Sequence, residues 1–323
     1  MNKLERKLYE ENFDTLCKKI YDTKDSSGSN LNVHYCTIKN YENIFTHAFN
    51  NFDGPCDIRS ISKTIISIIV GIVKEKSKNE FNEDTFIYPI IKEKFKIINK
   101  DNLEKIKKIQ VKHCLTHTIG YNEVLLMRDD IKDKDLFTLV DYLINFPIKY
   151  NPGEFYLYSN AGYYLLSVVL QEYLQEDLLI FIKREFFDKL DIKKIKWERY
   201  GDYIAGATRC WLYPEDLLKV GEVIMNQGLY DYKQIVSNEW LEYIKNQKWI
   251  TKKVDTPGRI FRRYAYGSGL WLNKEKNIIF GHGTDCQLLI TIPEIKTVIV
   301  VLSEQNEIEQ LEWIIDDYIK SII

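Results

Sequence analysis

The sequence predicts an α+β fold in which one antiparallel sheet is assembled from both ends of the chain and flanked by helices. Three observations carry this. Short β-prone runs lie at 31–38 and 43–49, and again at 269–273, 287–292 and 297–302. The long middle stretch has helical rather than alternating periodicity. Residues 3–20 and 307–322 read as helices closing the two ends. A helical middle beside such a sheet makes a second, all-α lobe, and a cleft between lobes is a common place for a ligand. We therefore expect a single domain over 1–323, with an α/β lobe at about 1–75 and 255–323 and a mainly helical lobe at about 76–254.

The first helix has a charged outer face. The Ser/Gly/Asn cluster Asp25 to Asn30 ends it in a loop, and Val33, Tyr35, Ile38, Ile44, Phe45 and Phe49 give the next runs their β propensity. Residues 61–74 are nearly all apolar after Lys63, which predicts a helix buried on every side. Residues 159–176 follow a Ser159 cap, with Leu165, Leu166, Val169, Leu170 and Tyr173 at helical spacing. Pro214 suits the first turn of a further helix through Leu217, Val220, Ile224 and Met225, and Gly228 suits its end.

Composition narrows the function classes. Lys and Arg total 45 against 47 Asp and Glu, a formal net charge of -2, so there is no electrostatic case for nucleic acid or an anionic membrane. A small molecule is the expected partner. The six cysteines are scattered with no C-x-x-C pair, which suits free thiols in a reducing compartment. No apolar stretch follows the charged N-terminus, and the longest, near 64–73, is far short of the ~20 residues a membrane span requires. The expectation is a cytoplasmic protein. His113 and His117 stand at i, i+4, but Cys114 replaces the Glu a zinc protease would carry, so no metal or other cofactor is expected.

The chemistry sits first in Ser60-Ile61-Ser62-Lys63, an S-x-x-K tetrad. Residues i and i+3 of a helix are neighbours, so the hydroxyl and the amine can meet. Serine needs a base, and an amine opening an apolar helix is pushed toward its neutral form. The competing reading is a capping serine and a lysine reaching water. Tyr158-Ser159-Asn160 is a Y-x-N triplet on a turn before a helix. Its tyrosine can shuttle a proton and Asn160 can bind a substrate amide, although 22 tyrosines make a lone triplet weak. His282-Gly283-Thr284-Asp285 precedes a predicted strand, where glycines let backbone N–H groups approach a ligand; a plain hairpin turn is the alternative.

Together, in this order, these segments resemble the penicillin-binding-protein and class C β-lactamase family of serine hydrolases. Asp57 to Thr64 resembles its nucleophile segment. Leu115-Thr116-His117-Thr118-Ile119-Gly120, Pro152-Gly153 through Leu166, and Tyr266-Gly267-Ser268-Gly269-Leu270-Trp271 resemble further family segments, so the resemblance covers about Ile58 to Leu302. It implies a β-lactamase/DD-peptidase-like fold and an acyl-enzyme on Ser60, with Lys63 and Tyr158 sharing the base role. It also implies an ester, amide or β-lactam substrate, with Asn160, His282, Gly283, Thr284 and Asp285 binding it. A weakly turning-over penicillin-binding or sensing protein, or a D-amino-acid peptidase or β-lactamase, are the alternatives. The departure lies at His282-Gly283-Thr284, where the family's closing glycine is absent, leaving the second oxyanion donor open between Thr284 and Asp285.

Overall fold

The structure, a computed structural model, describes residues 3–246, 249–251, 259–261, 263–273, 275 and 277–323. Helix α1 (Lys3–Asp22) leads to strands β1 (Val33–Asn40) and β2 (Asn43–Ala48). The Ser60 turn leads into α2 (Ser62–Lys76), and α3 (Ala161–Leu174), α4 (Pro214–Met225) and α5 (Asn238–Asn246) follow. Strands β3 (Trp249–Ile250), β4 (Ala265–Tyr266), β5 (Trp271–Leu272), β6 (Ile279–His282), β7 (Leu288–Ile292) and β8 (Thr297–Ser303) precede α6 (Glu309–Ile322). Among the described residues these strands form one eight-stranded sheet, ordered β3-β4-β5-β6-β7-β8-β1-β2 and antiparallel throughout. The two chain ends meet in its interior, where Cys36 of β1 pairs with Val301 of β8.

Both faces of the sheet's central strands are covered, which is why 287–292 and 297–302 read as continuous apolar runs instead of alternating ones. Leu288, Ile290, Ile299 and Val301 face the core made by α1 and α6, through Phe13, Leu16, Leu311 and Ile315. Leu289, Val298 and Val300 face the other core, which runs on through α2, α3 and α4. Helix α4 lies so close that a Cβ at Gly221 would come within 2.5 Å of Val298 Cγ1. The expected division of the chain at 254/255 lies outside the described residues.

Helix α2 is the central post of the second core. Every residue from Ser62 to Val73 is buried. Its β-branched run has poor intrinsic helix propensity, so packing on all sides holds it helical. Trp240 of α5 donates its indole N–H to Ser67 O at 2.8 Å, and its ring lies 2.1 Å from where a Cβ on Gly71 would sit. Gly71→Ala is therefore expected to cost about 1–3 kcal/mol through overpacking, outweighing the helix-propensity gain. Urea unfolding checks this, and a raised midpoint would contradict the close packing.

The short strands β3, β4 and β6 and helix α5 were not among the expected elements. Two- to four-residue strands are too brief to show a period. The expected strand at 269–273 shrinks to Trp271–Leu272 because Gly269 takes φ +83° and breaks the ladder. A second small sheet pairs Cys56–Asp57 with Cys210–Leu212, and that strand with Lys196–Trp197. It fixes the segment after Gly206 beside the turn that holds Ser60.

Candidate active site

Ser60 lies in a tight 3-10 turn, Arg59–Ile61, that runs directly into α2. Arg59 holds a left-handed φ of 51°, and its N–H donates to Asp57 Oδ1 at 2.9 Å. One turn on, Lys63 is 1% exposed, and its Nζ lies 3.0 Å from Ser60 Oγ. The amine has not reached water. Burial lowers its pKa to about 7.

The other contacts of that amine define its chemistry. Nζ is 2.7 Å from Asn160 Oδ1 and 3.1 Å from the carbonyl oxygen of Ala207. Asn160 cannot be turned round, because its Nδ2 donates to Leu126 O at 2.8 Å. Both partners are thus acceptors and hold two N–H bonds. The third contact is with Ser60 Oγ: the charged amine donates its remaining N–H there, and the neutral amine would direct its lone pair there instead. Asn160, expected to meet a substrate amide, lines the cleft but has both ends of its own amide engaged within the protein.

Tyr158 lies beside Ser60, and burial pushes its pKa up to about 12, so it keeps its proton near neutrality. An aromatic clasp fixes its ring: Trp271 stacks at 5.7 Å, Tyr266 meets it edge-on at 5.5 Å, and His117 lies at 4.4 Å. This explains why the Tyr266 to Trp271 and Leu115 to Gly120 segments accompany the S-x-x-K tetrad. Burial, then the nearby Lys63, hold His117 neutral. His113 is structural: its Nδ1 accepts from the Gln110 N–H at 3.0 Å at the start of a short helix.

The late turn is arranged differently from the expectation that His282 and Gly283 face a substrate. His282 Nε2 is 2.7 Å from Glu312 Oε1, in the buried layer under α6. Burial lowers the histidine's pKa. Burial also pushes Glu312 up, but its contacts with His282 and Arg259 outweigh this and hold it at about 2. A neutral imidazole thus donates Nε2–H to an ionised carboxylate, and His282 ties β6 to α6. Gly283 donates its N–H to Gln287 O at 2.8 Å, and a Cβ there would come within 2.9 Å of Arg59 Cβ. Its glycine makes room for a neighbouring side chain. Thr284 does line the cleft with Ser60, and Asp285 sits just behind it, paired with Arg59 and Arg128.

The cleft at Ser60 has a volume of about 280 Å³. The chain matches the Beta-lactamase family over residues 33–312. It belongs to that family. Among solved structures sharing the fold is a penicillin binding protein from Bacillus halodurans, with TM-score 0.68, 16% identity, and coverage of 90% of this chain and 97% of that one. D-amino acid amidase from Ochrobactrum anthropi SV3, complexed with L-phenylalanine amide, gives TM-score 0.67 at 14% identity over 95% and 99%. EstCE1, a hydrolase with promiscuous acyltransferase activity, gives 0.71 at 12% over 96% and 98%. The Beta-lactamase-family fold and the hydrolases among these structures support a hydrolase, and no described helix is long and apolar enough to cross a membrane.

Sequence reasoning missed several contributors to this Beta-lactamase-family site. Ala207 acts through a carbonyl, which no residue type announces. Arg128 and Arg209, which line the cleft beside Arg59, belong to no motif and come from loops far apart in the chain. A signal of another kind exists in the backbone: Arg59, Leu126, Arg209 and Asp285 all hold left-handed φ of 51–68° around one cavity. Such conformations cost of order 1–3 kcal/mol each and gather at functional sites.

Proposed function

We propose that this Beta-lactamase-family protein hydrolyses a small ester or amide through an acyl-enzyme on Ser60. The observation that carries the proposal is the saturation of Lys63 by two carbonyl acceptors, which leaves its lone pair for the serine hydroxyl. Ser60 Oγ attacks the substrate carbonyl carbon while its proton passes to Lys63 Nζ. The C–O or C–N bond then breaks, and the leaving group takes that proton. Water, deprotonated by the same amine, releases the acid and frees Ser60. Tyr158 remains protonated and orients Ser60 Oγ. The Ser60 N–H, with that of Thr284 or Asp285, would face the developing oxyanion, since the Gly283 N–H is engaged by Gln287.

Esters and unstrained amides fit better than β-lactams. The residue at the family's anion-anchoring position, His282, is neutral and engaged with Glu312. The amidase among the relatives in fold supports a small amide as substrate, and EstCE1, a hydrolase with acyltransferase activity, supports acyl-transfer chemistry. A fluorophosphonate should add one covalent mass, mapped to Ser60 by peptide mass spectrometry. kcat/KM should be higher for p-nitrophenyl acetate or butyrate than for nitrocefin. Labelling elsewhere would overturn the nucleophile assignment, and efficient nitrocefin turnover without ester hydrolysis would overturn the substrate class.

A further inference from the structure

Arg59 stands immediately before Ser60, and the peptide that joins them carries the Ser60 N–H. Its own backbone is left-handed, at φ 51°, which costs energy for a side chain of this size. Asp57 holds it there twice. Its Oδ1 accepts the Arg59 N–H at 2.9 Å, and its Oδ2 accepts from the guanidinium Nη1 at 2.8 Å. Asp57 is itself fixed, because it pairs with Trp211 in the small sheet and the following Ile58 N–H donates to Cys210 O at 2.8 Å. The direction of the Ser60 N–H is thus set by a carboxylate and an arginine two residues apart.

The same guanidinium reaches the late turn. Its Nη2 lies 3.2 Å from Asp285 Oδ2. Asp285 is left-handed too, at φ 68°, and its carbonyl accepts from Ser303 Oγ at 2.6 Å and from the Gln305 N–H at 3.1 Å. The side chains of Asp57 and Asp285 are only 4% and 10% exposed, and that of Arg59 is 16% exposed. Two carboxylates so poorly hydrated, on facing turns, would repel one another. A planar guanidinium between them turns that repulsion into a fixed spacing, because its two arms hold both at once.

We propose that Arg59 is a positioning residue for the oxyanion hole: gripped by Asp57 on one turn and Asp285 on the other, it sets the distance between the Ser60 N–H and the N–H of Thr284 or Asp285. The inference rests on the hydrolase reading above and adds a residue to it. Arg59 acts through the two turns and not on the reacting atoms. Oxyanion donors must stand about 2.7–3.1 Å from the developing charge. A shift of about 1 Å at either turn is therefore felt in the transition state far more than in the bound substrate. Loss of Arg59 should slow the chemical step and leave binding nearly as it was.

Time courses of fluorophosphonate labelling at Ser60 test it, because the phosphoryl oxygen of the probe gains negative charge in the same hole. They give a maximal rate kinact, a half-saturating concentration KI and an amplitude. Misfolded chains lower the amplitude only. Arg59→Gly keeps the left-handed turn, since glycine suits it. Its kinact should fall about 10²-fold, the scale of one lost oxyanion donor, with KI changed less than about threefold. Millimolar guanidinium chloride, far below denaturing levels, should restore kinact about tenfold and saturably, and sodium chloride at equal ionic strength should not. Asp285→Asn tolerates the left-handed backbone and keeps the Asp57–Arg59 pair. Its kinact should fall about tenfold with no rescue by guanidinium, and it decides the matter if Arg59→Gly does not fold. An unchanged kinact, a rise in KI alone, or a loss in folded Arg59→Gly that guanidinium does not repair would overturn the positioning role and leave the Ser60 chemistry standing. Failure of the unmodified protein to be labelled at Ser60 would overturn the hydrolase reading, and this one with it.

Discussion

Ser60→Ala is expected to lower ester hydrolysis by at least about 10³-fold, and Ser60→Ala/Lys63→Met should be no slower than Ser60→Ala alone. The reason is that the two side chains form one device. Lys63 Nζ lies 3.0 Å from Ser60 Oγ and has its other hydrogens engaged by Asn160 and Ala207, so without the hydroxyl it has no proton to take. Independent contributions would multiply in the double variant. A double variant well below Ser60→Ala would mean that Lys63 acts on substrate directly, contrary to the geometry. Residual turnover in Ser60→Ala close to the unmodified rate would remove Ser60 from the mechanism.

The second large effect concerns Lys63 and pH. Lys63→Met keeps an unbranched side chain of similar length in the buried site but removes the base, and acylation should fall about 10²–10⁴-fold. In the unmodified protein, kcat/KM should rise with pH and level off above about 7, where the amine becomes neutral. The same depression has a stability consequence. The folded state releases the lysine proton near pH 7, whereas the unfolded chain holds it to near 10.5. The unfolded state therefore binds more protons between those values. Lys63's contribution to stability rises with pH across that window and is at its lowest below about 7. The slope is at most ~1.4 kcal/mol per pH unit for one proton. Denaturant melts of the unmodified protein and Lys63→Met from pH 6 to 9 should converge or cross as pH rises. Parallel stability curves, with a pH–rate limb near 10, would show the lysine to be an ordinary ammonium.

The residues proposed to carry this chemistry were legible to very different degrees. The Ser60–Lys63 pairing could be read from type and spacing, whereas Tyr158 was singled out only through the family resemblance. A hydroxyl and an amine three residues apart at the head of an apolar stretch must share a helix face, whatever surrounds them. The apolar runs at 64–73, 287–292 and 297–302 likewise required burial, and burial of Lys63 follows from its place at the start of the first. The late turn was read less well. The glycine in His282-Gly283-Thr284 suggested a backbone approaching a ligand, but in the fold it clears space for Arg59, and His282 turns under α6 to Glu312.

What the sequence by itself determined, then, is local: that a serine and a lysine stand one turn apart, which helix buries that lysine, and that strands from both chain ends form the sheet. Tertiary structure decided what those groups meet. The carbonyl of Ala207 reaches Lys63 from 144 residues away, and Asp285 joins Arg59 to Arg128 across 157 residues of sequence. A backbone carbonyl has no identity in a sequence, and an ion pair between distant loops has no period. Both exist only once packing has brought their segments together, and together they decide the state of the amine and the charge of the cleft.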